Sequence, residues 1–202
     1  MNKTLIWIFL SILSVPIYAQ QFPSEIWHKG KVVSIESDTL KGNVKYNLQL
    51  DIVQVERNDK IITISAQKIY YFEIFDETVD NFRYFYSLPF GNDRNYETPT
   101  IFEVLHEGKM SLLTRERVIT ETVSQYSYYS PNYVSREKLA YDFFFLREKG
   151  KLKKYTQKKN ELETEFMRDK ADQIKKFIKK NKLKYDKKAD LVRIVYFYNT
   201  LI

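Results

Sequence analysis

Between Trp27 and about Tyr155, the chain consists of short runs of β-branched and aromatic residues separated by polar turn residues at fairly regular intervals. Runs of this kind are typical of antiparallel strands joined by hairpin turns. The pattern predicts strands at 28–35, 39–47, 51–57, 60–66, 69–76, 82–88, 100–106, 110–123 and 138–147, with a short strand near 151–156.

Alternation within these runs indicates which strands have one exposed face. The hairpin of 51–57 and 60–66 places its apolar side chains mainly on one face, which predicts a half-buried sheet. The runs 69–75 and 141–146 are apolar on both faces. We therefore expect these two to be central strands, with the rest of the sheet on one side and the C-terminal helices on the other.

After Tyr155 the hydrophobic period becomes helical. Apolar residues recur every three or four positions in a first stretch, at Leu162, Phe166, Met167, Ala171, Ile174, Phe177 and Ile178. A second helix is predicted from about Lys187 to Asn199, and Asn160 with Glu163, and Asp186, are the predicted N-terminal caps. The predicted fold is α+β: an antiparallel β-meander at 20–156, either a sandwich or an open barrel, followed by a basic helical hairpin at 157–202. We expect the two C-terminal α-helices to pack on the sheet as part of the same domain.

The N-terminus has the layout of an export signal. A positive residue, Lys3, precedes an apolar stretch of about eleven residues, Leu5 to Val15, which Pro16 ends. A membrane-spanning helix needs about 20 apolar residues, so this stretch is too short to span, and cleavage after Ala19 fits the small-residue pattern best. The alternatives are an uncleaved anchor or a buried helix, and Pro16 disfavours both. We expect residues 1–19 to be a signal peptide and the protein to be periplasmic, outer-envelope-associated or secreted.

Charge is distributed unevenly along the chain. The formal net charge is +7, yet residues 147–188 contain 17 Lys or Arg and only 7 Asp or Glu. Four lysines, Lys175, Lys176, Lys179 and Lys180, fall opposite the apolar stripe of the first predicted helix. They form either a solvated helix face or a contact for an anionic lipid, a lipopolysaccharide phosphate or an acidic protein surface. Export argues against nucleic acid, and we expect any membrane contact after signal cleavage to be peripheral.

A tyrosine-rich segment, Gln125 to Tyr133, lies between two long predicted strands. It holds four candidate binding residues, Tyr126, Tyr128, Tyr129 and Tyr133. As a long exposed loop it would offer aromatic rings to a sugar, a peptide or another protein. The alternative is a loop whose rings fold back onto the sheet. Arg83, Tyr84 and Tyr86 are candidate neighbours of this segment.

The sequence contains no recognisable catalytic, metal or cofactor motif. The chain has no cysteine, which excludes lipoprotein attachment and disulfides, and its only histidines, His28 and His106, stand alone. We therefore predict no metal and no cofactor. For hydrolysis of an envelope polymer, two carboxylates would have to converge, and the candidates are Glu73, Asp76, Glu77, Glu103 and Asp142. Carboxylates on strands are more often solvated or salt-bridged.

Four segments carry a resemblance to a known group of proteins. They are KGKVVSIESDTLKGNVKYN, AQKIYYFEIFD, FRYFYSLPF and KKNKLKYDKKADLVRIVYFYN. Together they resemble a group of exported proteins of Bacteroidota-type bacteria that has no assigned activity, and this implies an envelope or secreted location. The leading hypothesis is a non-enzymatic exported protein that binds an envelope partner. The alternatives are a hydrolase of envelope polymers with a carboxylate pair and a peripheral binder of anionic membranes.

Overall fold

The computed structural model describes residues 21–91, 96–127, 130–147 and 150–202. The predicted signal peptide lies outside these ranges. The described chain forms ten strands: β1 (His28–Ser34), β2 (Thr39–Asn47), β3 (Ile52–Arg57), β4 (Lys60–Ser65), β5 (Ile69–Asp76), β6 (Asn81–Phe90), β7 (Thr98–His106), β8 (Met110–Ser127), β9 (Ser130–Arg147) and β10 (Lys153–Tyr155). Each predicted strand is found, most within two residues of its predicted bounds, because alternation and turn residues both marked them.

All ten strands belong to one antiparallel sheet, in the order β10-β9-β8-β7-β6-β5-β1-β2-β3-β4. Two meanders, β1–β4 and β5–β10, therefore meet where β1 pairs with β5. The prediction of an antiparallel meander followed by helices is confirmed, and the sheet is open. The turn at Asn58 and Asp59 shows why local sequence signals were enough to locate the hairpins. Both residues have the positive φ that a two-residue hairpin turn requires.

The sheet curls so strongly that its two halves touch. Gly30 and Gly42 face each other within β1 and β2. A Cβ atom on Gly30 would lie 2.3 Å from the backbone oxygen of Glu73. Glycine is therefore required where the strands bend and approach closely. The curl gives the sheet a concave inner face and a convex outer face.

Two hydrophobic cores fill the concave face. One lies inside the curl of β1–β7 and contains Val44, Val53, Phe72 and Phe85 among its buried residues. The other lies between β8–β10 and the C-terminal helices and is built from Leu112, Phe143, Phe145, Phe166, Ile174, Leu191, Ile194 and Tyr198. The helices thus pack on the sheet as the pattern of residues 157–202 predicted.

The C-terminal region contains two regular helices, α1 (Ala171–Asn181) and α2 (Lys188–Asn199). The first predicted helix is continuous only from Ala171. Before it come a short α-helical turn (Lys159–Glu161), a π-helical turn (Leu162–Phe166) and a 3-10 turn (Arg168–Lys170). This irregular path still buries Leu162, Phe166 and Met167, and Arg147 donates a hydrogen bond of 2.6 Å to the carbonyl of Phe166, where the regular helix is interrupted.

The predicted helix caps are wrong. Helix α2 begins after Lys187, which has no capping side chain, and Asp186 is exposed. Asn160 lies inside the first helical turn, and Glu163 is buried and accepts a hydrogen bond of 3.1 Å from the Tyr185 hydroxyl. Tertiary contacts rather than local capping therefore fix this region.

The β8–β9 hairpin is longer than predicted. β7 pairs with β8 over Leu112 to Thr114, whereas β8 and β9 stay paired to Ser127 and Ser130. The prediction of a long loop over residues 125–133 is therefore wrong, because most of that segment belongs to the strands. The hairpin continues as a two-stranded ribbon beyond the pairing with β7.

The outer face of β5 also differs from the prediction. At residues 143–145 of β9 both faces are covered, since Phe143 and Phe145 meet the helices and Phe144 packs in a small outer cluster with Phe102 and Leu113. For β5 the inner face is buried, but the helices lie on that same concave side of the sheet. Its outer face remains partly exposed, so the expectation of helical cover over β5 is wrong.

Candidate functional site

Helix α1 presents the predicted lysine face to solvent. Its apolar residues Ile174 and Ile178 are buried in the core under the helix. The lysine face, defined as Lys175, Lys176, Lys179 and Lys180, is exposed on the opposite side. The 3.6-residue period of the helix therefore separates the two groups as the sequence predicted.

Most of these lysines have no acidic partner. Lys175 lies 3.5 Å from the buried carboxylate of Glu163. Among the described residues, Lys176, Lys179 and Lys180 have no carboxylate within ion-pair distance. Three exposed lysines follow in the connection to α2, at Lys182, Lys184 and Lys187. The helix and this connection together carry seven exposed lysines and two exposed aspartates, Asp172 and Asp186. This excess of positive charge favours contact with an anionic partner.

The tyrosine-rich segment is only partly described. The backbone of Tyr126 belongs to β8 and is paired with Pro131 of β9, and the ring of Tyr133 is 72% exposed. Tyr128 and Tyr129 lie outside the described residues, as does the side chain of Tyr126. At Tyr133 the expectation of an exposed ring is met. Tyr84 and Tyr86 lie on the outer face of the sheet, whereas Arg83 points to the inner face.

Arg83 is the centre of a buried ionic network that joins five strands and a helix. Its Nε and Nη2 atoms donate to the two oxygens of Glu103 at 3.0 and 2.9 Å. Nη1 donates to Asp76 at 3.0 Å, and Nη2 also donates to Glu116 at 2.8 Å. All four residues are less than 10% exposed. Strands β5, β6, β7 and β8 are thereby connected through one guanidinium group.

Tyr46 brings β2 into the same network. Its hydroxyl accepts a hydrogen bond of 2.9 Å from Arg83 and donates to the carboxylate of Glu116. β2 and β8 are separated by four strands in the sheet, so this contact exists only because the sheet curls. Arg115 of β8 also donates a hydrogen bond of 2.7 Å to Asp51, in the turn after β2. This bond is a second contact between these two parts of the sheet.

Helix α2 adds a second cation at the edge of the network. The Nζ atom of Lys188 lies 3.2 Å from both oxygens of Glu103 and 5.1 Å from the centre of the Tyr141 ring. A cleft of about 670 Å³ opens between Lys188, Arg193 and the β5–β6 turn, and its lining includes Arg83, Glu103 and Glu116. The network is thus reached by solvent from one side.

The surroundings of Asp76 and Arg83 shift the pKa of each group. Burial alone would raise the pKa of Asp76, but hydrogen bonds from Thr78 and Arg83 hold that pKa below its usual value. Burial lowers the pKa of Arg83, and the bonds to Glu103 together with the charges of Glu103, Tyr46 and Glu116 more than reverse this effect. A hydrolytic pair of carboxyl groups consists of an acid and a base that are free to act on a substrate. Arg83 instead donates hydrogen bonds to both Glu103 and Glu116, so the arrangement is that of a structural ion cluster.

The five predicted carboxylates therefore divide between several places. Asp76 and Glu103 meet at Arg83, as a convergent pair would require. Glu73 lies on the outer face, 3.1 Å from Lys31, and Glu77 is exposed. Asp142 lies 3.3 Å from Lys154 and from Arg117.

The two histidines have structural surroundings. His28 is buried, and its Nε2 atom donates to the carbonyl of Pro23 at 2.7 Å. His106 is half-buried, packs edge-on against Tyr196, and has a pKa lowered by burial. No cluster of three or more metal-binding side chains occurs within the part of the chain that the structure describes.

Sequence reasoning missed the members of the network that lie far apart in the chain. Tyr46, Glu116 and Lys188 were not singled out, and Arg83 was assigned to the neighbourhood of the tyrosines. One signal was available for Arg83, a charged residue within the otherwise aromatic run 82–86. Its contact with Tyr46 depends on the curl, which sequence does not reveal.

Comparison with known proteins adds no relative. No protein-family model, curated protein or solved structure matches this chain. Within residues 21–91, 96–127, 130–147 and 150–202, no helix has both the length and the apolar character needed to cross a membrane.

Proposed function

We propose that this protein is exported and acts as a non-enzymatic binding protein of the bacterial envelope, docking to an anionic envelope component through the lysine face. The observation that carries this proposal is the exposure of all four lysines on one side of α1, three of them without a carboxylate partner among the described residues. The N-terminal signal layout and the resemblance to exported Bacteroidota-type proteins support the location.

Rigid support of the lysine face favours docking over a merely solvated helix. The buried side of α1 is fixed in the core by Ile174 and Ile178, and Phe177 stacks on Phe197 of α2 with ring centres 4.0 Å apart. A cationic surface on a fixed helix loses little conformational entropy when it meets an anionic surface, apart from that of the lysine side chains.

The non-enzymatic hypothesis is preferred because the carboxylates that converge among the described residues are bonded to cations. Glu103 receives two hydrogen bonds from Arg83 and contacts Lys188, and Glu116 is bonded to Arg83 and Tyr46. These partners occupy the oxygen atoms that a hydrolytic acid or base would use.

Cell fractionation tests the proposal. Cells that produce the full chain are broken, and their envelopes are washed at low and at high salt. We expect the protein to pellet with the envelope at low salt and to be released at high salt, because contacts between exposed charges are screened. Recovery entirely in the soluble fraction at low salt, or retention that is indifferent to salt, would contradict docking by the lysine face.

A further inference from the structure

The outer face of the sheet carries an aromatic platform that the proposed function does not use. Cross-strand neighbours Tyr71 and Tyr86 stack with ring centres 5.5 Å apart, and Tyr70 meets both edge-on. In the next rows, Tyr84 lies opposite Glu73, and Phe82 lies opposite Phe75. The aromatic platform is defined as Tyr70, Tyr71, Phe75, Phe82, Tyr84 and Tyr86.

These rings are available to a ligand. Tyr70 is 56%, Phe82 50% and Tyr84 43% exposed, although all lie on or beside central strands. A contiguous exposed group of large apolar side chains marks an interaction site, whereas single exposed ones need no explanation. The rings share one face of β5 and β6, on the convex side of the sheet.

A strip of lysines borders the platform on the same face. Lys31 lies directly opposite both Glu73 of β5 and Lys41 of β2, and Lys29 lies opposite Phe75. Lys31 pairs with Glu73 at 3.1 Å and sits 5.9 Å from the centre of the Tyr71 ring. Among the described residues, Lys29 and Lys41 have no carboxylate within ion-pair distance. The face is therefore aromatic on β5 and β6 and cationic on β1 and β2.

We infer that this face binds an acidic polysaccharide. Sugar rings have flat apolar faces that pack on aromatic rings, and the tyrosine hydroxyls at the rim can exchange hydrogen bonds with sugar hydroxyls. Carboxylates along the same chain meet Lys29 and Lys41. Strands about 4.8 Å apart and alternate residues about 6.7 Å apart give a surface of roughly 14 by 13 Å. This area accommodates more than one sugar ring.

Charge and composition favour this ligand over a second copy of the chain. Two copies meeting through this face would bring the lysine strips into the same contact, and like charges oppose such pairing. The core of a protein interface is depleted of charged residues, whereas here Lys31 and Glu73 stand beside the rings. The inference is independent of the lysine face, which lies on α1 at the concave side of the sheet.

Calorimetric titration with defined oligosaccharides tests the inference. The probes are hexamers of mannuronate, guluronate and galacturonate, with a neutral glucose hexamer for comparison. We expect at least one uronate hexamer to bind, more weakly as salt rises, and the glucose hexamer to bind at least about tenfold more weakly. Failure of all three uronate hexamers to bind, or equal binding of the neutral hexamer, would overturn the inference.

Matched variants locate the site. Phe82→Ser with Tyr84→Ser should weaken binding about tenfold or more, which is about 1.4 kcal/mol, since aromatic anchors dominate the energy of interfaces. Lys29→Gln with Lys41→Gln should flatten the salt dependence. Tyr196→Ser, which changes a 62% exposed ring on α2, should leave affinity unchanged.

Folding and self-association are checked on the same samples. If the double variant does not fold, Tyr84→Ser alone is used, since that ring is at the surface. Unchanged affinity in a folded aromatic variant would overturn the assignment. The wild-type protein could instead form concentration-dependent dimers that the aromatic variant abolishes, and bind no uronate. That result would assign this face to self-association and overturn the inference of polysaccharide binding.

Discussion

Arg83 and Glu103 form a two-bonded ion pair across neighbouring strands, with N–O distances of 3.0 and 2.9 Å, at the centre of the curled sheet. Every buried side-chain nitrogen and oxygen in the described part of the chain has a hydrogen-bond partner. The pair thus belongs to a fully satisfied network in which one guanidinium serves three carboxylates. Loss of Arg83 removes the cation that these three carboxylates share.

Arg83→Met keeps much of the side-chain volume but removes the cation. We expect this change to lower the free energy of unfolding by about 3–5 kcal/mol, because three buried carboxylates lose Arg83 and only Glu103 keeps another cation, Lys188. Arg117→Met is the matched control, since the pair of Arg117 with Asp142 is half-exposed, and it should cost less than about 1 kcal/mol. Urea denaturation followed by circular dichroism measures the unfolding free energy of both variants. Equal losses of stability would show that the buried network contributes no more than an exposed ion pair.

Tyr46→Phe tests the contact across the curl. The hydroxyl accepts from Arg83 and donates to Glu116, so its removal leaves a buried carboxylate oxygen without a donor. We expect a loss of about 1–3 kcal/mol in unfolding free energy. Tyr133→Phe, at a 72% exposed ring, should change stability little. An unchanged unfolding free energy in Tyr46→Phe would mean that this hydrogen bond does not stabilise the curled sheet.

Gly30→Ala tests the close approach of the strands. The added Cβ would lie 2.3 Å from the Glu73 backbone oxygen, so β1 and β5 must move apart. We expect a loss of about 1–3 kcal/mol, the usual range for overpacking, seen as a lower melting temperature. An unchanged melting temperature would show that the backbone yields at this point without cost.

Stability should fall in acid in a way that depends on Asp76. Its pKa in the folded protein lies below its usual value, so its contribution is present above the unfolded pKa of about 3.9 and is lost as pH falls through the folded pKa. Urea midpoints measured from pH 6 to pH 2 should therefore drop below about pH 4. Asp76→Asn should be less stable at pH 6 and show a smaller drop. An equal drop in both proteins would assign the acid sensitivity elsewhere.

The sequence was most informative where structure is local. Alternation predicted the positions of the ten strands, and the turn at Asn58 and Asp59 follows from residues that accept positive φ. The helical period separated Ile174 and Ile178 from the lysine face correctly. These features depend on neighbours within a few residues, which a single sequence records.

Prediction failed where the structure depends on contacts between residues that lie far apart in the sequence. Residues around 125–133 contain many turn-forming types, yet pairing extends β8 and β9 through most of them. The regular helix begins only at Ala171, after a π turn whose last carbonyl, that of Phe166, is bonded by Arg147. The meeting of Tyr46, Arg83 and Glu116 requires the curl, and the curl follows from how two meanders pack rather than from any local pattern.

The most direct test of docking by the lysine face is the binding of purified protein to isolated bacterial envelopes over a range of ionic strength. Lys175→Gln, Lys176→Gln, Lys179→Gln and Lys180→Gln are combined in one variant. A matched variant changes four exposed lysines elsewhere, Lys60, Lys68, Lys109 and Lys151, and so removes the same total charge. We predict that the α1 variant loses most of its low-salt binding and its salt dependence while the matched variant keeps both. Equal binding by the two variants would contradict docking through α1.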